Sequence, residues 1–280
     1  NNPTAGKGVR VNCSAFRQKR PARLTGAHRG GEKMARVSVT SVNFASPSPP
    51  MNLLLHVLDD VGLADVGPTA EYSTPSLDAM RTHGTTLSSF YVQPVCSPTR
   101  AATMTGRYPF RLGLQHVIPA ASTAALPDDS PTLAELLRGG GYHTVLAGKW
   151  HLGSSQWKDT PTGRGFDRSV GFLQGNEDYT TKQFCTPSAR AFPALGACVL
   201  GNHTPQLACG IDFFDGRRAL TANHTYLRTY STHLYRDLAV AAIHNASATR
   251  LQPLFLMIAW QAAHVPLQPP PRNASRTHSP

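Results

Sequence analysis

Short apolar runs alternate with amphipathic stretches along most of this chain. Asn52–Leu58 (NLLLHVL) is aliphatic apart from His56 and stops at Asp59-Asp60. Tyr142–Ala147 (YHTVLA) and Leu254–Trp260 (LFLMIAW) have the same character. Runs of this length read as strands buried on both faces, and Leu87–Val92 is a further candidate strand. Between them lie helix signals. Thr74 caps a segment with Pro75 at its first position, Leu77 and Met80 on one face, and Gly84 at its end. Cys96-Ser-Pro-Thr-Arg opens a second helix, with Pro98 in its first turn. Ser130 and Pro131 open a third, with Leu133, Leu136 and Leu137 on its apolar face and three glycines behind it. Ser231–Asn245 carries a stripe of Leu234, Leu238, Ala241 and Ala242. Residues 153–225 are rich in Gly, Pro and polar side chains and predict loops. Strands separated by helices imply βαβ units, so the expected class is α/β with a mostly parallel sheet flanked by helices.

Charge changes this picture at one end only. The net charge is +11, yet residues 1–50 hold nine basic side chains and one acid, which puts +8 of it there. The segment ends in the Pro/Ser run Ser46–Pro50 and reads as a basic, disordered leader. It has no aromatic interleaving and no recognition motif, so nucleic acid is not the expected partner. No apolar run reaches the roughly 18 residues of a membrane span. No signal-peptide core is visible at the start. Sequons at Asn12, Asn202, Asn223, Asn245 and Asn273 favour a secretory route weakly. Of the five cysteines, Cys185, Cys198 and Cys209 share one loop-like stretch in which two of them can close a disulfide, and Cys13 lies in the leader.

Three strands of such a sheet end in polar residues, and ligands bind beyond the carboxyl ends of strands in α/β sheets. The first ends at Asp59-Asp60, hard oxygen ligands whose mutual repulsion calls for a cation. Ca2+ or Mg2+ suits them better than Zn2+, which prefers nitrogen and sulfur. The second strand runs into Lys149-Trp150-His151, where positions two apart in extended chain can reach one anion. The third runs through Gln261 to His264. Cys96 and Arg100 lie one turn apart on a helix whose N-terminus favours negative charge, an activating place for a thiol.

Together these residues resemble the sulfatase family. Cys96-Ser97-Pro98-Thr99-Arg100, followed by Thr105-Gly106-Arg107, is similar to its first signature, Cys-x-Pro-x-Arg, whose cysteine is oxidised to formylglycine. Gly141-Tyr-His-Thr-Val-Leu-Ala-Gly-Lys149-Trp-His151 fits the second signature without a gap. Asp59-Asp60 corresponds to the family's first metal pair. The resemblance covers residues 51–272. Gly113-Leu-Gln-His116, Gly163-Arg-Gly-Phe-Asp167, Gly175-Asn-Glu-Asp-Tyr179 and His264-Val-Pro-Leu-Gln268 resemble the arylsulfatase B type, which acts on 4-sulfated N-acetylgalactosamine.

The resemblance implies an alkaline-phosphatase-like catalytic domain over residues 51–280, incomplete at the C-terminus. The family's later Asp-Asn metal pair, second lysine and C-terminal subdomain are expected beyond Pro280. It implies a sulfuric ester hydrolase with Asp59, Asp60 and the modified Cys96 on Ca2+, Arg100 steadying the diol and the metal-side charge, Lys149 and His264 at the sulfate, and His151 taking a proton from the second hydroxyl. It also implies a formylglycine-generating enzyme as partner, a sulfated carbohydrate or aryl sulfate as substrate, a lysosomal or secreted location, and a Cys185–Cys209 disulfide with Cys198 unpaired. Thr103 departs mildly from the first signature, which has an apolar residue there. Two alternatives stay open. One is a phosphonate or phosphate monoester hydrolase of the same superfamily, and the other is an inactive, glycan-binding relative.

Overall fold

The structure is a computed structural model, and it describes residues 51–67, 70–71, 73–120, 122–187, 207–249 and 252–271. The chain divides into two units, Asn1–Pro47 and Ser48–Pro280. The expected leader, Cys13, Cys198 and the sequons at Asn12, Asn202 and Asn273 lie outside the described residues.

In chain order the second unit runs β1 (Leu53–Val57), α1 (Pro75–His83), α2 (Cys96–Thr105), α3 (Pro109–Leu112), α4 (Leu133–Gly139) and β2 (His143–Gly148). It continues through β3 (Arg168–Gly171), β4 (Gln183–Pro187), β5 (Leu207–Ile211), β6 (Phe214–Asp215), β7 (Arg218–Ala219), α5 (Ser231–Thr249) and β8 (Leu254–Ala259). The main sheet has the order β1-β8-β2-β3-β6-β7. Its first four strands are parallel, and β6 and β7 add an antiparallel edge. The expected α/β class with a mostly parallel sheet is therefore what the chain adopts.

Alternation sorts the central strands into two cores. Leu146 and Met257 face α2 and α4, joined by Met104, Trp150, Phe166 and Phe255. Val145, Ala147, Leu256 and Ile258 face α5, whose Leu234 and Tyr235 are buried against them. Registration then fixes where the strands end. Ala259 pairs with Val57 on one side and Gly148 on the other, so β1, β8 and β2 stop at one level. Gly148 is required there: its φ is +109°, and a Cβ would stand 2.0 Å from the Ala259 carbonyl oxygen.

Several expectations are corrected. The first apolar run does form a strand, but not a buried one. It sits at the sheet edge, with Leu53, Leu54 and Leu58 exposed. α1 starts and stops as expected, yet none of its residues is buried. Leu87–Val92 is not a strand; Leu87, Phe90 and Tyr91 are exposed and no neighbouring strand pairs with them. α4 begins two residues later than Ser130 and Pro131 suggest. Thr132 caps it through a reciprocal pair, Glu135 N donating to Thr132 Oγ1 and Thr132 N to Glu135 Oε2. Ser130 is instead held by Arg107 and Arg164. Residues 153–225 contain β3 to β7 as well as loops. These strands are two to five residues long, too short to show a period in a Gly-rich stretch. β4 and β5 form a separate antiparallel pair in which Cys185 and Cys209 are register partners joined by a disulfide.

Candidate active site

The common level at which β1, β8 and β2 end brings the polar termini together. Asp59 follows β1, and its N–H donates to Ala262 O while its carbonyl accepts from Ala263 N. These bonds tie the β1 end to the loop that carries His264. Gly148 turns the chain after β2 so that Lys149 N donates to Ala259 O and Trp150 N to Phe172 O. Lys149 is left fully buried below the sheet end.

α2 approaches this edge with its first turn. Ser97 and Pro98 are buried, and Ser97 Oγ accepts from Ile118 N at 3.0 Å. Arg100, one turn on, is 3% exposed. Its guanidinium donates to Asp59 Oδ2 at 3.1 Å and to Lys149 O at 2.9 Å. Lys149 Nζ donates to the same Asp59 Oδ2 at 2.6 Å. Burial pushes the Asp59 carboxyl up, but the two cations outweigh it and hold it below the usual carboxylate range. Burial lowers both cations, Arg100 and Lys149. Two cations share one carboxylate in a desolvated site, which leaves a positive surplus able to hold an anion.

Cys96 opens α2 and is half-buried, the only free cysteine among the described residues. Its Sγ lies 3.2 Å from His151 Nδ1. His151 Nε2 is 3.0 Å from the Ile118 carbonyl oxygen. A carbonyl only accepts, so Nε2 carries the hydrogen and Nδ1 presents its lone pair to the group at position 96. Burial and the neighbouring Lys149 push the imidazole down to about 4, so it is a neutral acceptor at ordinary pH. His151 has φ +57° and Asp60 φ +55°. Left-handed backbone at two non-glycine residues of one site is a local strain that functional sites tolerate.

His264 and Asp60 form the outer part of the cluster. Their Nε2 and Oδ2 are 3.7 Å apart, with side chains 17% and 65% exposed. The structure thus brings Asp59, Arg100 and Lys149 into one contact set, Cys96 and His151 into another, and Asp60 and His264 into a third, all at one rim.

The donor set bears on the expected cation. Asp59 and Asp60 offer the oxygen chemistry that Ca2+ takes, but Ca2+ takes about six to eight oxygens. Among the described residues no three His, Cys, Asp or Glu side chains group closely enough to hold a metal. Asp59 Oδ2 is moreover committed to Arg100 and Lys149. The described residues alone therefore do not make a calcium site.

Two features of the site had little sequence signal. The Ile118 carbonyl that orients His151 is a backbone atom, and nothing in its neighbourhood marks it. Glu177, Tyr179, Lys182 and Ser231 form a buried polar set beside the His264 loop. Its trace in the sequence is the Gly175–Tyr179 phrase, which carries the likeness to the arylsulfatase B type but says nothing of this packing.

A sequence model of the sulfatase family matches residues 52–279. Arylsulfatase J of Mus musculus is 36% identical over 232 residues, which is 81% of this chain and 35% of that protein. Arylsulfatase A of Bos taurus is 39% identical over 167 residues, 58% of this chain and 32% of that protein. The chain therefore spans about a third of the length of these relatives. Among solved structures, Ps i-CgsB in complex with a k-i-k-neocarrahexaose superposes with a TM-score of 0.60 at 32% identity, covering 78% of this chain and 46% of that one. Sulfatases generally depend on Ca2+ and formylglycine. With one family model running across nearly all of the second unit, the chain belongs to the sulfatase family.

Proposed function

We propose that this chain carries the nucleophile and part of the sulfate-binding machinery of a hydrolase of sulfate esters. The proposed substrate is a sulfated sugar or aryl sulfate, specifically of the 4-sulfated N-acetylgalactosamine type. One observation carries the reading: Cys96 stands against His151 Nδ1 at the start of α2, one turn from an Arg100 paired with Asp59 beside Lys149. An ordinary core cysteine does not keep such company. The four arylsulfatase B-like phrases support the substrate type, and the neocarrahexaose complex of Ps i-CgsB supports a carbohydrate over a simple aryl ester.

Formylglycine made from Cys96 supplies a hydrated aldehyde oxygen as nucleophile. The rest is done by residues of this chain. Lys149 and Arg100 present positive charge to the sulfate oxygens and lose no reorganisation energy, because Asp59 holds both in place before substrate arrives. Neutral His151, fixed by Ile118, takes the proton from the group at position 96 through Nδ1. His264 contacts the sulfate; its Nδ1 hydrogen goes to the Val265 carbonyl, so it is the protonated imidazole that hands a proton from Nε2, beside Asp60, to the leaving oxygen. Asp60 is its partner across the rim.

The Cys185–Cys209 disulfide supports an oxidising compartment, and we assign the protein to the secretory or lysosomal route with a formylglycine-generating enzyme as its partner there. The test has two arms. The full chain is expressed in cells that hold the modifying enzyme, and the tryptic peptide containing Cys96 is weighed. The product is then given nitrophenyl sulfate beside nitrophenyl phosphate. Formylglycine with hydrolysis of the sulfate supports the reading. An intact thiol in that peptide removes the nucleophile, and preference for phosphate transfers the site to the phosphomonoesterase branch.

A further inference from the structure

Beneath the loop that carries His264 lies a buried polar set with no part in the chemistry above. Tyr179 is its hub and is 2% exposed. Its carbonyl accepts from Lys182 Nζ at 2.6 Å and from Ser231 N at 2.8 Å. Lys182 is itself fully buried and donates to Ser231 Oγ and the Thr229 carbonyl. Ser231 in turn reaches Glu177 Oε1 at 2.9 Å, which also accepts from the Tyr235 hydroxyl. The backbone of Tyr179 is therefore anchored to the start of α5.

The other side of Tyr179 grips the His264 loop at both ends. The phenol donates to the His264 carbonyl at 2.9 Å. The backbone N–H of Tyr179 donates to Gln268 Oε1 at 2.8 Å, and Gln268 Nε2 donates to Asp178 Oδ2 at 2.6 Å. Tyr230 stacks on the Tyr179 ring at 5.2 Å and donates to the Gln268 carbonyl. His264–Gln268 lies past the end of β8 and pairs with no strand; short-range bonds from His264 N to Gln261 O, His264 Nδ1 to Val265 O and Gln268 N to Pro266 O shape the turn, and contacts from outside fix where it sits. Burial raises the Tyr179 phenol, so its hydroxyl remains a donor.

We propose that Tyr179 is a positioning residue, whose hydroxyl on the His264 carbonyl sets the imidazole opposite Asp60 and the Arg100–Lys149 pair. The inference rests on the reading of His264 as a sulfate-contacting group, and its test separates the two. Tyr179→Phe removes one oxygen and keeps the stacked ring. Gln268→Leu releases the far end of the same loop and serves as the second variant. The first measurement needs no activity: the His264 imidazole resonance, assigned with His264→Gln, is compared in wild type and variants. Both variants should shift or broaden His264 while leaving His151 unmoved. The second is hydrolysis of nitrophenyl sulfate by the formylglycine form. Tyr179→Phe should lower kcat at least about tenfold, because small displacements of a reacting group are costly. The double variant with His264→Ala should be no worse than His264→Ala alone. An unperturbed His264 resonance in both variants, or losses that multiply in the double variant, overturns the positioning role. A perturbed resonance in a protein that hydrolyses no sulfate ester keeps it and sinks the activity instead.

Discussion

β1 and β8 are neighbouring strands, both built mainly of apolar side chains, yet one is surface and the other core. β8 (LFLMIA) lies between β1 and β2 and is buried at all six positions. β1 (LLLHV) is the edge strand, and Leu53 and Leu54, which face opposite sides, are 37% and 47% exposed. A similar contrast divides the two carboxylates that follow β1. Lys149 and Asp59 at the inner side are buried and paired, whereas Asp60 at the flank is 65% exposed on its side chain. Apolar character sets what burial is worth, about 1.5–3 kcal/mol for a fully buried aliphatic side chain, but position in the sheet decides whether that is realised.

The sharpest way to break the comparison is at the carboxylate doublet. Asp59→Ala leaves Arg100 and Lys149 buried without a counter-charge and should cost about 3–5 kcal/mol in urea unfolding. Asp60→Asn, one residue on, removes the charge but keeps a side chain that tolerates the left-handed backbone there, and should stay within about 0.5 kcal/mol. Equal losses would mean that the two carboxylates share one environment. Next come the strands themselves. Leu256→Ala, at 0% exposure in β8, should cost about 2–5 kcal/mol, and Leu54→Ala in β1 less than about 1 kcal/mol. If Leu54 proves as costly as Leu256, the edge is covered in solution.

A third effect is a pH dependence confined to the interior. Burial raises the Glu177 carboxyl to about 8 from its ordinary 4.5, despite Lys182 and the Ser231 and Tyr235 hydroxyls, which pull it down. Between those values the folded state holds a proton that the unfolded state has released. Stability therefore falls as pH rises through this window, by about 1.4 kcal/mol per unit. Glu177→Gln should flatten the fall between pH 5 and 7, read as the urea midpoint at each pH. A slope unchanged in the variant would place the proton elsewhere, with the buried Asp212 the next candidate. The smallest effect belongs to α1. Met80→Ser, at a position 63% exposed, should move the thermal midpoint hardly at all, corresponding to about 0.5 kcal/mol or less.

Local chemistry accounts for what could be read in advance and what could not. Pro75 at the first position of α1, Cys96 at the start of α2 and the aliphatic runs of β2 and β8 carry their signal within a few residues. Their elements were legible to within about two residues, the usual uncertainty of an element's end. The motif residues were equally visible, because Cys96 to Arg100 and Lys149 to His151 are short spacings. β3 to β7 were not, since strands of two to five residues in a Gly-rich stretch show no period. Nor was the burial of β1, which depends on which strand lies beside it rather than on its own residues.

From the sequence came the residue types, the helix starts, the apolar runs and the likeness to sulfatases. Folding alone decided that Val57, Ala259 and Gly148 stop at one level, that Asp59 faces two cations and Asp60 faces water, and that Tyr179 reaches the His264 carbonyl. The reason is range. Capping and periodicity act over a turn or a strand, whereas the desolvated charge of Asp59 is set by partners 41 and 90 residues away, and the register of β1 on β8 by partners about 200 residues away.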